Sequence, residues 1–193
     1  MVTPKASGSA TVERPLRADA QRNQAKLIEA ARAEFLEHGA DAPLEDVARR
    51  AGVGIGTLYR RFPTRLDLLE AIYRNDVDAI ARRADELATE VDVWPAFSTW
   101  IREFSAYASS KRALFQQLVD AVGKNSAAMT HSRETVTAAM TTMLERAQSA
   151  GVVRTDVSGS DVMRLVGGCT MMGTVEPDQA GRMVEVVLAG LRA

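Results

Sequence analysis

The sequence predicts an all-α protein: an N-terminal three-helix domain with a helix-turn-helix, followed by a C-terminal helical domain. Three observations carry this. Segment after segment between Gln21 and Leu191 repeats apolar residues at i, i+3, i+4 and i+7, the spacing of one helix face. No alternating apolar–polar run is long enough to build a sheet. Between Leu44 and Arg65 two short helical stripes flank Gly52-Val53-Gly54, a glycine-rich stop that lets the chain turn without strain.

Residues 1–20 hold Thr, Ser, Gly, Pro and scattered charges without apolar periodicity, and are expected to form a disordered arm. The first helix spans residues 21–38. Ala25, Ile28, Ala31 or Arg32, and Phe35 mark its buried side, Leu27 and Leu36 flank it, and Gly39 ends it. His38 sits where a cation supports a helix C-terminus. Ala42-Pro43 precedes the second helix, with Pro tolerated at the first helical position. Leu44, Val47, Ala48 and Ala51 form its stripe. The third helix runs from Ile55 to Phe62, with Ile55, Leu58, Tyr59 and Phe62 on one side and Gly56, Thr57, Arg60 and Arg61 on the other. Pro63 closes it. Thr64 and Asp67 have the spacing of a capping box and open a long helix to about Leu87.

Beyond a break at residues 89–93, five further helical stretches follow. Phe97, Trp100, Ile101, Phe104, Tyr107 and Ala108 mark the first. Leu114, Phe115, Leu118, Val119 and Val122 mark a shorter one, stopped by the Gly123–Ser126 turn. Val136, Met140, Met143, Leu144 and Ala147 mark a third, ended by Gly151. Residues 158–169 and 178–191 supply the last two. The expected domains are residues 21–63 and 64–193.

A short helix with an exposed basic face after a glycine turn is the one that enters a DNA major groove in a helix-turn-helix. Gly54, Gly56 and Thr57 are small enough for close approach. Arg60 and Arg61 can donate to phosphates or to guanine O6 and N7, and the Tyr59 hydroxyl can reach a phosphate. Arg49, Arg50, Arg60, Arg61 and Arg65 against Glu45 and Asp46 give Leu44–Arg65 a local net charge of +3, on a chain whose total is −1. That is a local basic patch and not a generally polycationic protein. Arg14, Arg17 and Arg22 are candidates for a minor-groove arm.

The run Ala51-Gly52-Val53-Gly54-Ile55-Gly56-Thr57-Leu58-Tyr59-Arg60-Arg61-Phe62, followed by Arg65 and Leu66-Asp67-Leu68-Leu69, resembles the tetracycline-repressor (TetR) family of bacterial regulators. The strong likeness covers roughly Gln21 to Tyr73; the remainder agrees in length and helical character. The resemblance implies a ligand-responsive transcription factor, most simply a repressor, whose residues 64–193 bind an effector and dimerise. It also implies that Arg65 contacts a phosphate. Ala42-Pro43 departs from the family, which often has a capping Thr or Ser there, and neither side chain can cap the helix or bond a phosphate. Large apolar side chains in the central helices, Trp100, Phe104, Phe115, Met140 and Met143, are the candidate pocket lining, and an apolar or aromatic effector is expected because no charged residue is clearly buried. The last helix carries apolar residues over an arc of about 200°, wider than one core needs. A homodimer is therefore expected on the last two helices, through Val162, Leu165, Val166, Met183, Val186, Val187 and Leu188, with Gly167-Gly168 allowing close contact.

Catalysis is not expected. His38 and His131 lie far apart and outside any metal-ligand motif. There is no nucleophile elbow or phosphate loop, and Gly52-x-Gly54-x-Gly56 follows a helix with the wrong spacing for a nucleotide fingerprint. No cofactor or metal is expected. The single cysteine, Cys169, allows neither an internal disulfide nor a cysteine metal site, as in a reducing cytosol. No signal-peptide core or membrane-length apolar run is present, so a cytoplasmic location is expected. Two alternatives remain open on sequence alone: a helix-turn-helix protein without small-molecule control, and a helical ligand carrier that has lost DNA binding.

Overall fold

The computed structural model describes residues 13–39, 41–123, 126–171 and 175–193. Among them the chain forms α1 (Glu13–His38), α2 (Leu44–Ala51), α3 (Ile55–Arg61), α4 (Arg65–Leu87), α5 (Val93–Ser110), α6 (Arg112–Val122), α7 (Ala127–Ser149), α8 (Gly159–Met171) and α9 (Pro177–Leu191), with no strand. One isolated antiparallel bridge joins Val153 to Arg192. The chain divides into two compact units, Met1–Ile72 and Tyr73–Ala193. The division falls inside α4, beyond the Pro63 stop, because Leu68, Leu69 and Ile72 on the first turns of α4 are buried as part of the first unit.

In the first unit α1 starts at Glu13, so residues 13–20, expected in a disordered arm, are helical. Leu16, Arg17, Ala18 and Ala20 are good helix formers, and a helix end needs no apolar stripe to extend. Residues 1–12, the rest of that arm, lie outside the described residues, as do the side chains of Arg14 and Arg17; Arg22 pairs with Asp19. The buried stripe of α1 is Leu27, Ala31 and Glu34, joined by Ile28 and Ala30, whereas Ala25 and Leu36 are exposed. Ile28 and Ala31 are buried as the sequence pattern predicts and Phe35 is half-buried, but the face is centred elsewhere because a carboxylate occupies one of its positions. Glu34 is buried with Arg50 Nε 3.0 Å from Oε1 and His38 Nδ1 3.0 Å from Oε2. Arg50 also donates to both oxygens of Glu37, at 2.9 and 2.6 Å. This clamps α2 to α1 and holds the Glu37 carboxyl below its ordinary value.

Arg50→Met should therefore destabilise the protein by about 1–3 kcal/mol in urea unfolding, since it leaves a buried carboxylate without its main donor. Glu34→Gln in the same chain should recover part of the loss. An unchanged unfolding midpoint in Arg50→Met would show that the clamp contributes nothing.

In the second unit α5 is central, because apolar residues cover most of its surface. Phe97, Trp100 and Ile101 on α5, Met140, Met143 and Leu144 on α7, Val162 and Val166 on α8, and Val184 and Leu188 on α9 form one buried cluster. The Trp100 indole N–H donates to the Ile80 carbonyl at 3.0 Å, so the ring's one polar atom is satisfied inside the core. α8 packs closely on α7 at Gly159, where a Cβ would come within 2.9 Å of Thr141 Oγ1. Arg102 on α5 and Glu185 on α9 form a two-point ion pair at 2.6 and 2.9 Å. The connection between α7 and α8 is tied to the chain end by Arg154 N–H to Leu191 O, 3.0 Å, and Ala193 N–H to Val152 O, 3.2 Å.

Candidate nucleic-acid interface

Local chemistry sets the geometry of α2 and α3. Gly52 stands at φ 68° and ψ 32°, the left-handed region. Its N–H donates to Arg49 O at 3.1 Å and the Val53 N–H to Ala48 O at 3.0 Å, the paired closure of a Schellman stop. The Gly54 carbonyl then accepts from Thr57 N–H at 2.8 Å and starts α3. Phe62 closes α3 through its N–H to Leu58 O at 2.7 Å. The predicted capping box after Pro63 is present in reciprocal form: Thr64 N–H to Asp67 Oδ2 at 2.8 Å, and Asp67 N–H to Thr64 Oγ1 at 3.2 Å.

α3 buries less than its sequence pattern suggests. Leu58 and Phe62 are buried, but Ile55 is exposed and Tyr59 is 44% exposed. In a helix this short the elements behind it cover only one edge of the apolar arc. At about 100° per residue, Ile55, Tyr59, Gly56 and Arg60 then share the open face. A Cβ added at Gly54 or Gly56 would meet no atom within 4 Å, so both leave clear space above the backbone.

The basic patch is narrower than its net charge implied. Arg49 pairs with Asp46 at 2.6 Å and Arg50 is held by Glu34 and Glu37, so both are neutralised within the chain. Arg60 lies 3.4 Å from Thr57 Oγ1, and Arg61 bonds the Gln24 side chain on α1; both partners are neutral. The Arg65 guanidinium sits 5.6 Å from the centre of the Phe35 ring. Among the described arginines of α2 and α3, the two without an acidic partner, Arg60 and Arg61, are thus both on α3. Arg60 and Arg61 differ in that Arg61 is tethered to α1.

The second unit contains a cavity of about 150 Å³. α4 contributes Tyr73 and Val77, and α5 contributes Phe104, Tyr107 and Ala108. Lys111 lies at the α5–α6 joint and Phe115 on α6. α7 adds Ser132, Arg133 and Val136, and α8 adds Gly167, Thr170 and Met171. Tyr73 and Phe115 meet at 5.8 Å between ring centres, and burial pushes the Tyr73 phenol above its ordinary value. Of the five candidates from sequence, Phe104 and Phe115 line this cavity. Trp100, Met140 and Met143 are core residues that do not reach it, although Trp100 stacks on Phe104 at 5.6 Å. The expectation that no charged residue is buried fails at Asp76, 7% exposed, whose Oδ2 lies 3.9 Å from Lys111 Nζ, and at Glu34.

Comparison with known proteins agrees with this architecture. Residues 27–72 match the model of bacterial regulatory proteins of the tetR family, and residues 94–193 match the C-terminal domain of SbtR-like transcriptional regulators. The TetR transcriptional regulator SCO0520 of Streptomyces coelicolor is 37% identical, with 88% of this chain and 98% of that one covered at a TM-score of 0.74. A TetR transcription regulatory protein of Mycobacterium vanbaalenii is 30% identical, with 93% and 100% covered and a TM-score of 0.74. The chain belongs to the TetR family. It is a DNA-binding transcriptional regulator, and its family is one of regulators and not of enzymes. Among curated relatives, the HTH-type transcriptional regulator SAR0097 of Staphylococcus aureus is 32% identical over 109 residues, so the chain spans 56% of that protein's length.

The TetR-family chain separates the seven residues assigned from sequence to a dimer surface. Val162, Val166 and Leu188 are buried in its own core, and Val187 is half-buried against it. Leu165, Met183 and Val186 are exposed. A Cβ at Gly167 or Gly168 would meet no atom within 4 Å in the single chain. His131 on α7 is exposed, and no helix among the described residues is long and apolar enough to cross a membrane.

Proposed function

We propose that this TetR-family regulator is a cytoplasmic homodimeric repressor whose α3 helices occupy two operator half-sites, and that a small apolar or aromatic effector in the second unit releases it. The observation that carries the reading is the composition of the open α3 face: Gly56 leaves space for a groove wall, and among the described residues Arg60 is bonded to a neutral hydroxyl and to no carboxylate. Thr57, Arg61 and Arg65 would add donors at the edges of that face, and the backbone at Gly54 a close approach.

Helix α4 supplies the coupling. It opens with Arg65 beside the recognition helix in sequence, and its Tyr73 and Val77 line the cavity. An effector that favours another setting of α4 weakens DNA binding by the same coupling free energy that DNA exerts on the effector, on the order of 1–3 kcal/mol. The cavity favours this reading over regulation without a small molecule.

Tyr59 should position the protein without reading sequence, because its ring lies at the edge of the apolar arc and the residue is partly open to solvent. Tyr59→Phe should cost up to about 1.5 kcal/mol of operator binding with an unchanged sequence preference; a changed preference would place Tyr59 against a base. Repression itself is tested by placing an operator selected from random DNA over a reporter promoter. Expression of the protein should lower transcription, and a rise would make it an activator.

A further inference from the structure

We propose that the cavity of the second unit takes a single-ring aromatic carboxylate, its ring against Tyr73, Phe104 and Phe115 and its carboxylate at Lys111 and Arg133. The inference rests on reading this cavity as the effector site and adds the chemical class.

Size sets the first limit. A void of about 150 Å³ in an unrelated apolar core admits one benzene ring, and this cavity has the same volume. A single ring fills that volume. Its walls suit a ring: Tyr73 and Phe115 already meet at a tilt of 51°, and on α8 Gly167 offers no side chain at all.

Charge sets the second. Among the described residues the lining carries two cations, Lys111 and Arg133, and no carboxylate. Asp76 Oδ2 lies 3.9 Å from Lys111 Nζ. Among the described residues no carboxylate lies within ion-pair distance of Arg133, an exposed residue of α7 whose positive charge is open to an anion. A cationic ligand is repelled there, and a neutral one gains little from Arg133. A carboxylate is ionised at neutral pH whereas a phenol, with a pKa near 10, is not. The Thr170 hydroxyl already donates to Val166 O at 2.9 Å, so on the α8 wall it can only accept. A carboxylate would find its donors at the α5–α6 joint and on α7. Lys111 sits at that joint: its N–H donates to Tyr107 O at 3.0 Å and its carbonyl accepts from Phe115 N–H at 2.9 Å. An anion held there links α5, α6 and α7.

The test uses the full chain with three probes of nearly equal size: benzoate, neutral benzamide and cationic benzylamine, each at millimolar concentration, in calorimetry and thermal unfolding. Benzoate should bind and raise the unfolding temperature, benzamide should bind about tenfold more weakly, and benzylamine should not bind. Arg133→Gln should bring benzoate down to the level of benzamide, a loss of about tenfold expected for one charged hydrogen bond. Equal binding of benzoate and benzamide, unaffected by Arg133→Gln, would overturn the anionic class and leave the cavity as an effector site. No binding by any ring would overturn both.

Discussion

Val186→Glu and Leu165→Glu should each convert the protein into a helical monomer that has lost tight operator binding. Val186 is 73% exposed on α9 and Leu165 is exposed on α8, while the buried side of α9 is formed by Ala180, Val184, Leu188 and Leu191. A carboxylate at either exposed position removes nothing from the chain's own core. In a dimer it would be buried without a partner, at a cost of several kcal/mol. Sedimentation should therefore report monomers whose helical circular dichroism is retained. Operator affinity should fall about 100- to 10,000-fold, because the second half-site is then no longer engaged intramolecularly. Leu188→Glu is not a clean probe, since Leu188 is only 2% exposed and its replacement would unfold the second unit. Dimers persisting in both variants would place the interface elsewhere.

Arg60→Ala should weaken operator binding by about 1–3 kcal/mol per half-site and relax the preference at one base pair in each, the signature of a guanine read through O6 and N7. Arg60 stands on the open face beside Gly56, and its bond to Thr57 at 3.4 Å is long enough to be given up on binding. Arg61 is different. Its bond to Gln24 directs it toward α1, away from the centre of the open face, where a phosphate is the available partner. Arg61→Ala should thus lower affinity evenly across sequences and reduce the salt slope by about one per half-site. The reverse pattern, with Arg61 setting the preference, would mean that α3 enters the groove rotated toward α1.

Helix existence and ends were legible because their causes are local. Thr64 and Asp67 are three residues apart, and their capping box reads directly from that spacing. Gly52 and Pro63 stop helices by backbone chemistry alone. What was not legible depends on partners distant in sequence. Counting arginines gave a patch of +3, but Arg50 is committed to Glu34 and Glu37 on another helix, and a sum of charges does not show pairs. The wide apolar arc of α9 did not say which part of it faces the chain's own core, so Leu188 and Val186 were grouped together although one is core and the other is exposed. The cavity was hardest. Of the large side chains expected around it, Phe104 and Phe115 do line it, whereas Trp100, Met140 and Met143 are spent on the core, and small Ala108 and Gly167 form part of its wall.

The most direct test of two-half-site recognition by α3 is selection of bound sequences from a random DNA pool with the wild-type protein. The account predicts an inverted repeat whose half-sites lie about one helical turn apart, roughly 34–36 Å, or a multiple of it. Enrichment of a single unrepeated site, or of no sequence at all, would contradict it.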